Sequence, residues 1–509
     1  VAMAHPVWSI AEVVREVMYQ SLGDRRTLVS CAQVSRAISE PAVEVLWETL
    51  RGIGRLLALL PSSVKRITGQ DNDTQLPFKH YVCAICGDIK DEEWARLLFY
   101  ANLVRRYTTF GERIDGITTA VLVAKCGGRA LFPRLTMISW FHDMEYSSYF
   151  IVLLGSPLLA HLNLNFSTDY SPVATTFLVD DPADYTIAAG LRLVHMQCPH
   201  IRTIDIHASR LPSVNSLGRF ASLHKLTLRS IKDFAVIGAA CGSLPHLKSL
   251  EVASFVPPEA PPPHIPAISL PSATELSLTG TSDLVAAILE ATHAPRLASV
   301  SIITLGFPSY HPPAPDAVVA LMRITTAIGA RFAQTLRHVT LEGYGDDDDN
   351  DDDDDEPRPP TTQAFRPLFA PLYAAGALER LAVVFDFESA LTLAPGDLAD
   401  AARAWPGLRS IKLPFDSRVP PTYPITDLEA LARGCPRLVN VLLPLPNAAP
   451  LGDVEEVRAM SGLDGCVNEV SRVWLPGEDW MPETRARCAA YLRRIFPKLK
   501  EEGMYLGFD

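Results

Sequence analysis

The sequence predicts an α/β protein: a curved array of short parallel strands alternating with helices, preceded by three short N-terminal helices. Three observations carry that expectation. An apolar phrase of fixed internal spacing recurs twelve times between residues 135 and 475. Helix-like stretches separate several of its copies. Proline occupies 41 of 509 positions, about 8% against an ordinary ~5%, so elements must be short and turns frequent.

The N-terminal elements come first. Ser9-Ile10-Ala11-Glu12 has the form of a capping box. Behind it Ile10, Val13, Val14 and Val17 recur at i, i+3, i+4 and i+7, an apolar stripe on one helix face. Gly23-Asp24 breaks that helix, and Asp24 suits the N-cap of a second one with Leu28, Cys31, Val34 and Ile38 on its buried side. Ser39-Glu40-Pro41 restarts the chain, with Pro41 in a first helical turn. Ala42, Val45, Leu46 and Leu50 give the third stripe. Three helices in about fifty residues bury little apolar area alone, so they call for a partner surface.

This run resembles an F-box, in the version found in large families of fungal proteins. The matching residues are Ile10 to Val14, Leu28 to Arg36, Ser39 to Ala42, and Val45-Leu46-Trp47. The chain carries Ala11 where that family usually has Pro, and Ile38 where it usually has an aromatic. The resemblance implies docking onto the Skp-type adaptor of a cullin–RING ubiquitin ligase. Ile10, Val13, Val14, Val17, Leu28, Val34, Ile38 and Trp47 then form the adaptor-binding set.

The helical module is expected over residues 5–60 and a linker with a connecting helix over 61–103. Gln70 to Lys79 is polar, and Trp94, Leu97, Leu98 and Ala101 mark the connecting helix. Val104-Arg105-Arg106-Tyr107 starts an atypical first repeat.

From there the phrase is apolar at positions 1, 4 and 6. It reads Leu135/Ile138/Trp140, Leu159/Leu162/Leu164, Ile201/Ile204/Ile206, Leu223/Leu226/Leu228, Leu247/Leu250/Val252 and Ala273/Leu276/Leu278. It continues as Leu297/Val300/Ile302, Leu336/Val339/Leu341, Leu378/Leu381/Val383, Leu408/Ile411/Leu413, Leu438/Val441/Leu443 and, more loosely, Val470/Val473/Leu475. Residues 4 and 6 of a short strand share one face, and residue 1 packs at its start. Spacings of 22 to 42 residues lie mostly within or just above the roughly 20–29 of leucine-rich repeats. The longest gaps hold insertions: Ser167 to Asp184, Gly306 to Pro315, and an acidic run within 345–361. Helices are expected at Asp283 to Thr292, Asp316 to Ala333 and Thr426 to Arg433, and proline often stands two residues before position 1, as at Pro199 and Pro436. The period and the Pro-x-Leu-x-x-Leu-x-Leu phrase resemble the irregular leucine-rich repeats that follow the F-box in those fungal proteins. The array is expected over 104–480. Residues 481–509 form a C-terminal cap, with Cys488, Tyr491, Leu492 and Ile495 facing inward from a helix over Pro482 to Phe496.

Charge excludes some classes. Net charge is −12, but ten of the acids fall between Asp346 and Glu356, and without them 48 acids stand against 46 bases. No Lys/Arg-dense block exists, which argues against nucleic acid. The acidic run is expected to be a solvated, mobile insertion, with contact to a basic partner as the other reading. Prolines 257, 258, 261, 262, 263 and 266 read as a rigid connector. No stretch of eighteen apolar residues spans a membrane. The first residues lack the basic-then-apolar order of a secretory signal, and Val1 in place of Met allows for an N-terminal extension. Nine scattered cysteines suggest reduced thiols, hence cytoplasm or nucleus.

Candidate chemistry is sparse. Cys83-Ala84-Ile85-Cys86 is the one Cys-x-x-Cys, with His80 nearby, but no second pair completes four zinc ligands, so two ordinary cysteines flanking a helix are expected and no metal. His142-Asp143 has no serine or cysteine partner, and neither Gly-x-Ser-x-Gly nor a phosphate-cradling loop is present. The sequence thus points to a non-catalytic substrate-recognition subunit without cofactor. Its N-terminal helices bind the adaptor, and through it a cullin, while the array binds an unknown target protein. The rival reading is a repeat scaffold or inhibitor acting without a ligase. Positions 3 and 5 of the strands face away from the core and carry Asp205, Lys225, Glu251 and Glu275 early, then Arg380, Lys412 and Arg472 late. These seven are the expected target-binding residues.

Overall fold

Side chains two places apart on a strand share a face, and a strand bonded on both edges has its register set by its neighbours. That turns the apolar phrase into core. The computed structural model describes residues 10–68, 81–109, 113–141, 153–165, 182–207, 214–230, 235–254, 265–307, 315–345, 361–385, 389–413, 422–444, 446–449, 451, 468–475 and 481–506. Two compact units divide the chain, Val1–Ile231 and Lys232–Asp509. Ser9, Gln70 to Lys79, His80, His142-Asp143, the acidic run and five of the six connector prolines lie outside the described residues.

In the first unit three helices follow one another: α1 (Ala11–Gln20), α2 (Arg25–Cys31) and α3 (Arg36–Glu48). The N-cap of α1 is Ile10, which has no side-chain acceptor, and the expected capping box falls on Ser9, outside the described residues. Asp24 does cap α2, accepting from the amides of Arg26 at 3.0 Å and Thr27 at 3.3 Å and from the Thr27 hydroxyl at 2.6 Å. The second helix is shorter than expected. It ends at Cys31, so Val34 lies in the turn beyond it and Ile38 belongs to α3. Pro41 sits inside α3 rather than in its first turn, because the helix already starts at Arg36, where the Ser39 amide bonds to the Ser35 carbonyl and Ile38 packs against the core. The ring removes one donor from that helix without ending it.

The helix α3 runs straight into a parallel sheet. Strands β1 (Thr49–Arg51), β2 (Arg106–Thr108), β3 (Met137–Phe141), β4 (His161–Asn165), β5 (Thr203–His207) and β6 (Lys225–Arg229) pair in chain order. Their register aligns Leu50, Tyr107, Ile138, Leu162, Ile204 and Leu226, all buried. Trp47 therefore stands at position 1 of β1, and Gly52 at position 6, with φ of 76° that only glycine adopts freely. A small separate sheet joins Val64–Thr68, Tyr81–Ile85 and Arg113–Ile114.

The second unit repeats the scheme. Its strands are β7 (Ser249–Ala253), β8 (Glu275–Gly280), β9 (Ser299–Phe307), β10 (His338–Gly345), β11 (Arg380–Phe385), β12 (Ser410–Lys412), β13 (Asn440–Leu442), β14 (Arg472–Leu475) and β15 (Met504–Leu506). They too pair in parallel, in chain order. At successive strand starts one backbone carbonyl accepts two amides of the next strand, as Arg337 does from Glu379 and Arg380. Helices Ser282–Ala291, Pro315–Phe332 and Leu428–Gly434 stand where the sequence places them. All three residues of each of the twelve phrases are buried, in one unit or the other. The helix Pro482–Ile495 buries Cys488, Tyr491, Leu492 and Ile495, and the chain then adds β15 as one further strand.

Candidate functional site

In α1 the apolar stripe is wider than the surface that covers it. At 100° per residue, Ile10, Val13, Val14, Val17 and Met18 occupy a sector about 140° wide. Only its Val14–Met18 flank packs, joining Leu28, Ala42 and Val45 in one core, with Cys31, Ile38 and Leu46 partly buried against it. The other flank faces solvent: Ile10 is 46% exposed, Val13 38% and Val17 41%, and Val34 in the turn after α2 reaches 67%. Leu22 and Val29 are also exposed. Charged contacts lock the packed side. Arg15 pairs with Glu44, and the Tyr19 hydroxyl donates to Glu48, so burial first and that carboxylate second raise the Tyr19 pKa.

The expected adaptor set therefore splits. Ile10, Val13, Val17 and Val34 share exposure, whereas Val14, Leu28 and, in part, Ile38 are core. Trp47 belongs to neither group. Half-buried, its ring lies 4.5 Å from that of Tyr100 on the helix Asp91–Ala101, which anchors α3 to the start of the sheet.

The strand faces differ between units. In the first, position 5 is buried at Ser139 and Thr227, so the expected alternation of exposed 3 and 5 fails there. Asp205 sits 3.7 Å from Arg229, and Lys225 has partners as well. In the second unit the alternation holds. One row of directly paired residues reads Ser249, Glu275, Ser299, His338, Arg380, Ser410, Asn440 and Arg472 from β7 to β14. The next reads Glu251, Ser277, Ser301, Thr340, Ala382, Lys412, Leu442, Trp474 and Tyr505 from β7 to β15. Glu275, Arg380, Lys412 and Arg472 are exposed, and Glu251 is half-buried and engaged by neighbouring groups. His338 lies beside Arg380; its pKa is pushed down, by burial first and by that guanidinium second.

Trp474 and Tyr505 escaped the sequence reading. Charge marks a surface residue at positions 3 and 5 where an aromatic does not, and β15 carries Glu501 where the phrase needs an apolar residue, so the strand gives no signal.

Cys83 is buried within the strand Tyr81–Ile85 and Cys86 is exposed just past its end, so the pair sits on a strand rather than flanking a helix. No group of three or more His, Cys, Asp or Glu side chains among the described residues could hold a metal ion. Burial pushes the Cys198 thiol up to about 11 and those of Cys241, Cys435 and Cys488 to about 12, so these hold their protons at neutral pH. No helix among the described residues is long and apolar enough to cross a membrane.

The strand order and the buried phrase define an α/β repeat protein of the leucine-rich kind. No family model matches the chain, and no curated protein does. Among solved structures, an internalin from Listeria monocytogenes aligns over 84% of this chain and 91% of its own, at 12% identity and a TM-score of 0.32. A leucine-rich repeat protein of Leptospira interrogans covers 90% and 99%, at 12% and 0.34. The Drosophila Toll–Spatzle complex covers 82% and 54%, at 12% and 0.37. The architecture rests on this chain's own strand order and register.

Proposed function

We propose that the chain is a non-catalytic substrate-recognition subunit of a Skp–cullin–F-box ubiquitin ligase. One observation carries this reading: α1 leaves an apolar flank of Ile10, Val13 and Val17 in solvent, with Val34 also exposed, while its Val14–Met18 flank is packed into a core. A helix bundle this small gains nothing from exposed branched side chains unless a partner covers them. The adaptor covers that flank, and the strand face of the second unit holds a target protein. The chain then acts by raising the effective concentration of target lysines near a ubiquitin-charged enzyme.

Capture of the tagged full chain followed by mass spectrometry should yield Skp-type adaptor and cullin peptides. Val13→Glu with Val17→Glu should abolish adaptor capture and leave the array's target capture intact. Adaptor bound at full strength by that variant would sink the assignment, leaving a repeat scaffold that works without a ligase. Charge reversal of Arg380 and Lys412 should weaken target capture, more at low salt than at high, without touching adaptor binding.

A further inference from the structure

The last strands of the second unit differ in chemistry from those before them. From β8 to β11 the position-5 row carries Ser277, Ser301, Thr340 and Ala382, small side chains that leave the sheet face open. It then carries Lys412, Leu442, Trp474 and Tyr505. Trp474 is 43% exposed and Tyr505 49%; among the described residues these are the large apolar side chains on this unit's strands that are exposed rather than buried or half-buried. Their rings lie 5.6 Å apart and tilted by 36°, so they form one platform rather than two separate contacts.

Cations lie on one side of the platform. Arg472 is two residues before Trp474 on the same strand, and Arg380 occupies the same row as Arg472. At about 4.8 Å per strand, Lys412 to Tyr505 spans roughly 14 Å, and the two rows lie about 7 Å apart. Arg380, Lys412 and Arg472 have no carboxylate partner among the described residues, in contrast to Arg337 and Arg409, which both pair with Glu379. No acid occupies position 3 or 5 from β11 to β15.

We infer that this patch binds an extended acidic segment of a partner protein, its carboxylates on Arg380, Lys412 and Arg472 and an aromatic or aliphatic side chain seated on Trp474 and Tyr505. The inference deepens, and rests on, the reading of the strand face as a target surface. Trp, Tyr and Arg together are the composition of binding hot spots. An exposed aromatic pair with cations along one side, without a carboxylate partner among the described residues, is complementary to acidic chain carrying an apolar anchor. Single-stranded nucleic acid also stacks on aromatics, but it needs a basic track along its backbone, and three cations within one patch do not supply one.

The test uses the full chain and a fluorescein-labelled peptide alternating Glu with Leu and Phe, followed by fluorescence polarisation at low and high salt. The peptide should bind, more weakly as salt rises. The Trp474→Ala/Tyr505→Ala variant should bind at least about tenfold more weakly, and Arg472→Glu with Lys412→Glu should do the same. These positions are exposed, and an unchanged circular dichroism melt keeps any loss of binding interpretable. Four outcomes overturn the proposal: no binding, equal binding of the peptide with Lys in place of Glu, no loss in the aromatic variant, or tighter binding of an oligouridylate. Aromatic-dependent self-association seen by light scattering would also overturn it, making the platform an interface between copies. If the peptide fails while Arg380 and Lys412 reversal still weakens target capture, the inference falls and the target-surface reading stands.

Discussion

The three N-terminal helices and the parallel strands are built from the same branched apolar residues and use them differently. In the strands every phrase position is buried; in α1 half the stripe is in solvent. The cause is how many neighbours each element has. A strand flanked on both sides has its ladder bonds and register fixed together, and a slip of one residue would turn the whole phrase outward. A short helix packs along a line, so two partner helices cover only one flank of a broad apolar sector. The strands therefore form a completed core, and the helices an incomplete one.

That contrast can be broken by measurement. Leu381→Ala, at position 4 of β11, should cost about 2–5 kcal/mol on urea denaturation. Because each repeat rests on its neighbours, amide exchange should quicken in β10 to β12 and stay slow in β7. A loss no larger than that of a surface substitution would show that the strands are not a shared core.

Val14→Ala, on the packed flank of α1, should cost about 2 kcal/mol from lost methyl burial and the void left behind. Val17→Ala, one turn away on the open flank, should stay within about 0.5 kcal/mol while weakening adaptor capture. Equal costs at the two positions would mean that α1 packs through its whole stripe.

The smallest effect is a pH dependence confined to α2. The Thr27 hydroxyl, with the amides of Thr27 and Arg26, holds the Asp24 carboxyl below its ordinary value of 3.8. A carboxylate depressed in the folded state stabilises above its unfolded pKa, and that contribution disappears as pH falls through the folded one. Amide protection in α2, relative to the intrinsic exchange rate, should therefore fall below pH 3.8, and Asp24→Asn should flatten the dependence. Protection that is unchanged by acid in the native chain would show that the cap is not formed.

Much of this was legible in the residues. Leu, Ile and Val at positions 1, 4 and 6 located twelve strands, because spacing of two on a doubly flanked strand permits a single burial pattern. Cys488, Tyr491, Leu492 and Ile495 located the last long helix and its inner face in the same way. Two strands were illegible. Gly52 takes position 6 of β1 and Glu501 position 1 of β15, so terminal repeats break the phrase where they have a neighbour on one side only.

What the sequence by itself determined is the repeating core, since a fixed period admits one arrangement of apolar side chains. What only the tertiary structure decided is which apolar residues are surplus to it. Val14 and Val17 are the same residue on the same stripe, and nothing local distinguishes them. Only the line along which α3 crosses α1 buries one and leaves the other exposed. Likewise Trp47, Trp474 and Tyr505 read as ordinary aromatics until helix packing set the first against Tyr100 and strand register set the other two side by side in solvent. Contacts between residues far apart in the chain assign those roles, and local spacing carries no record of them.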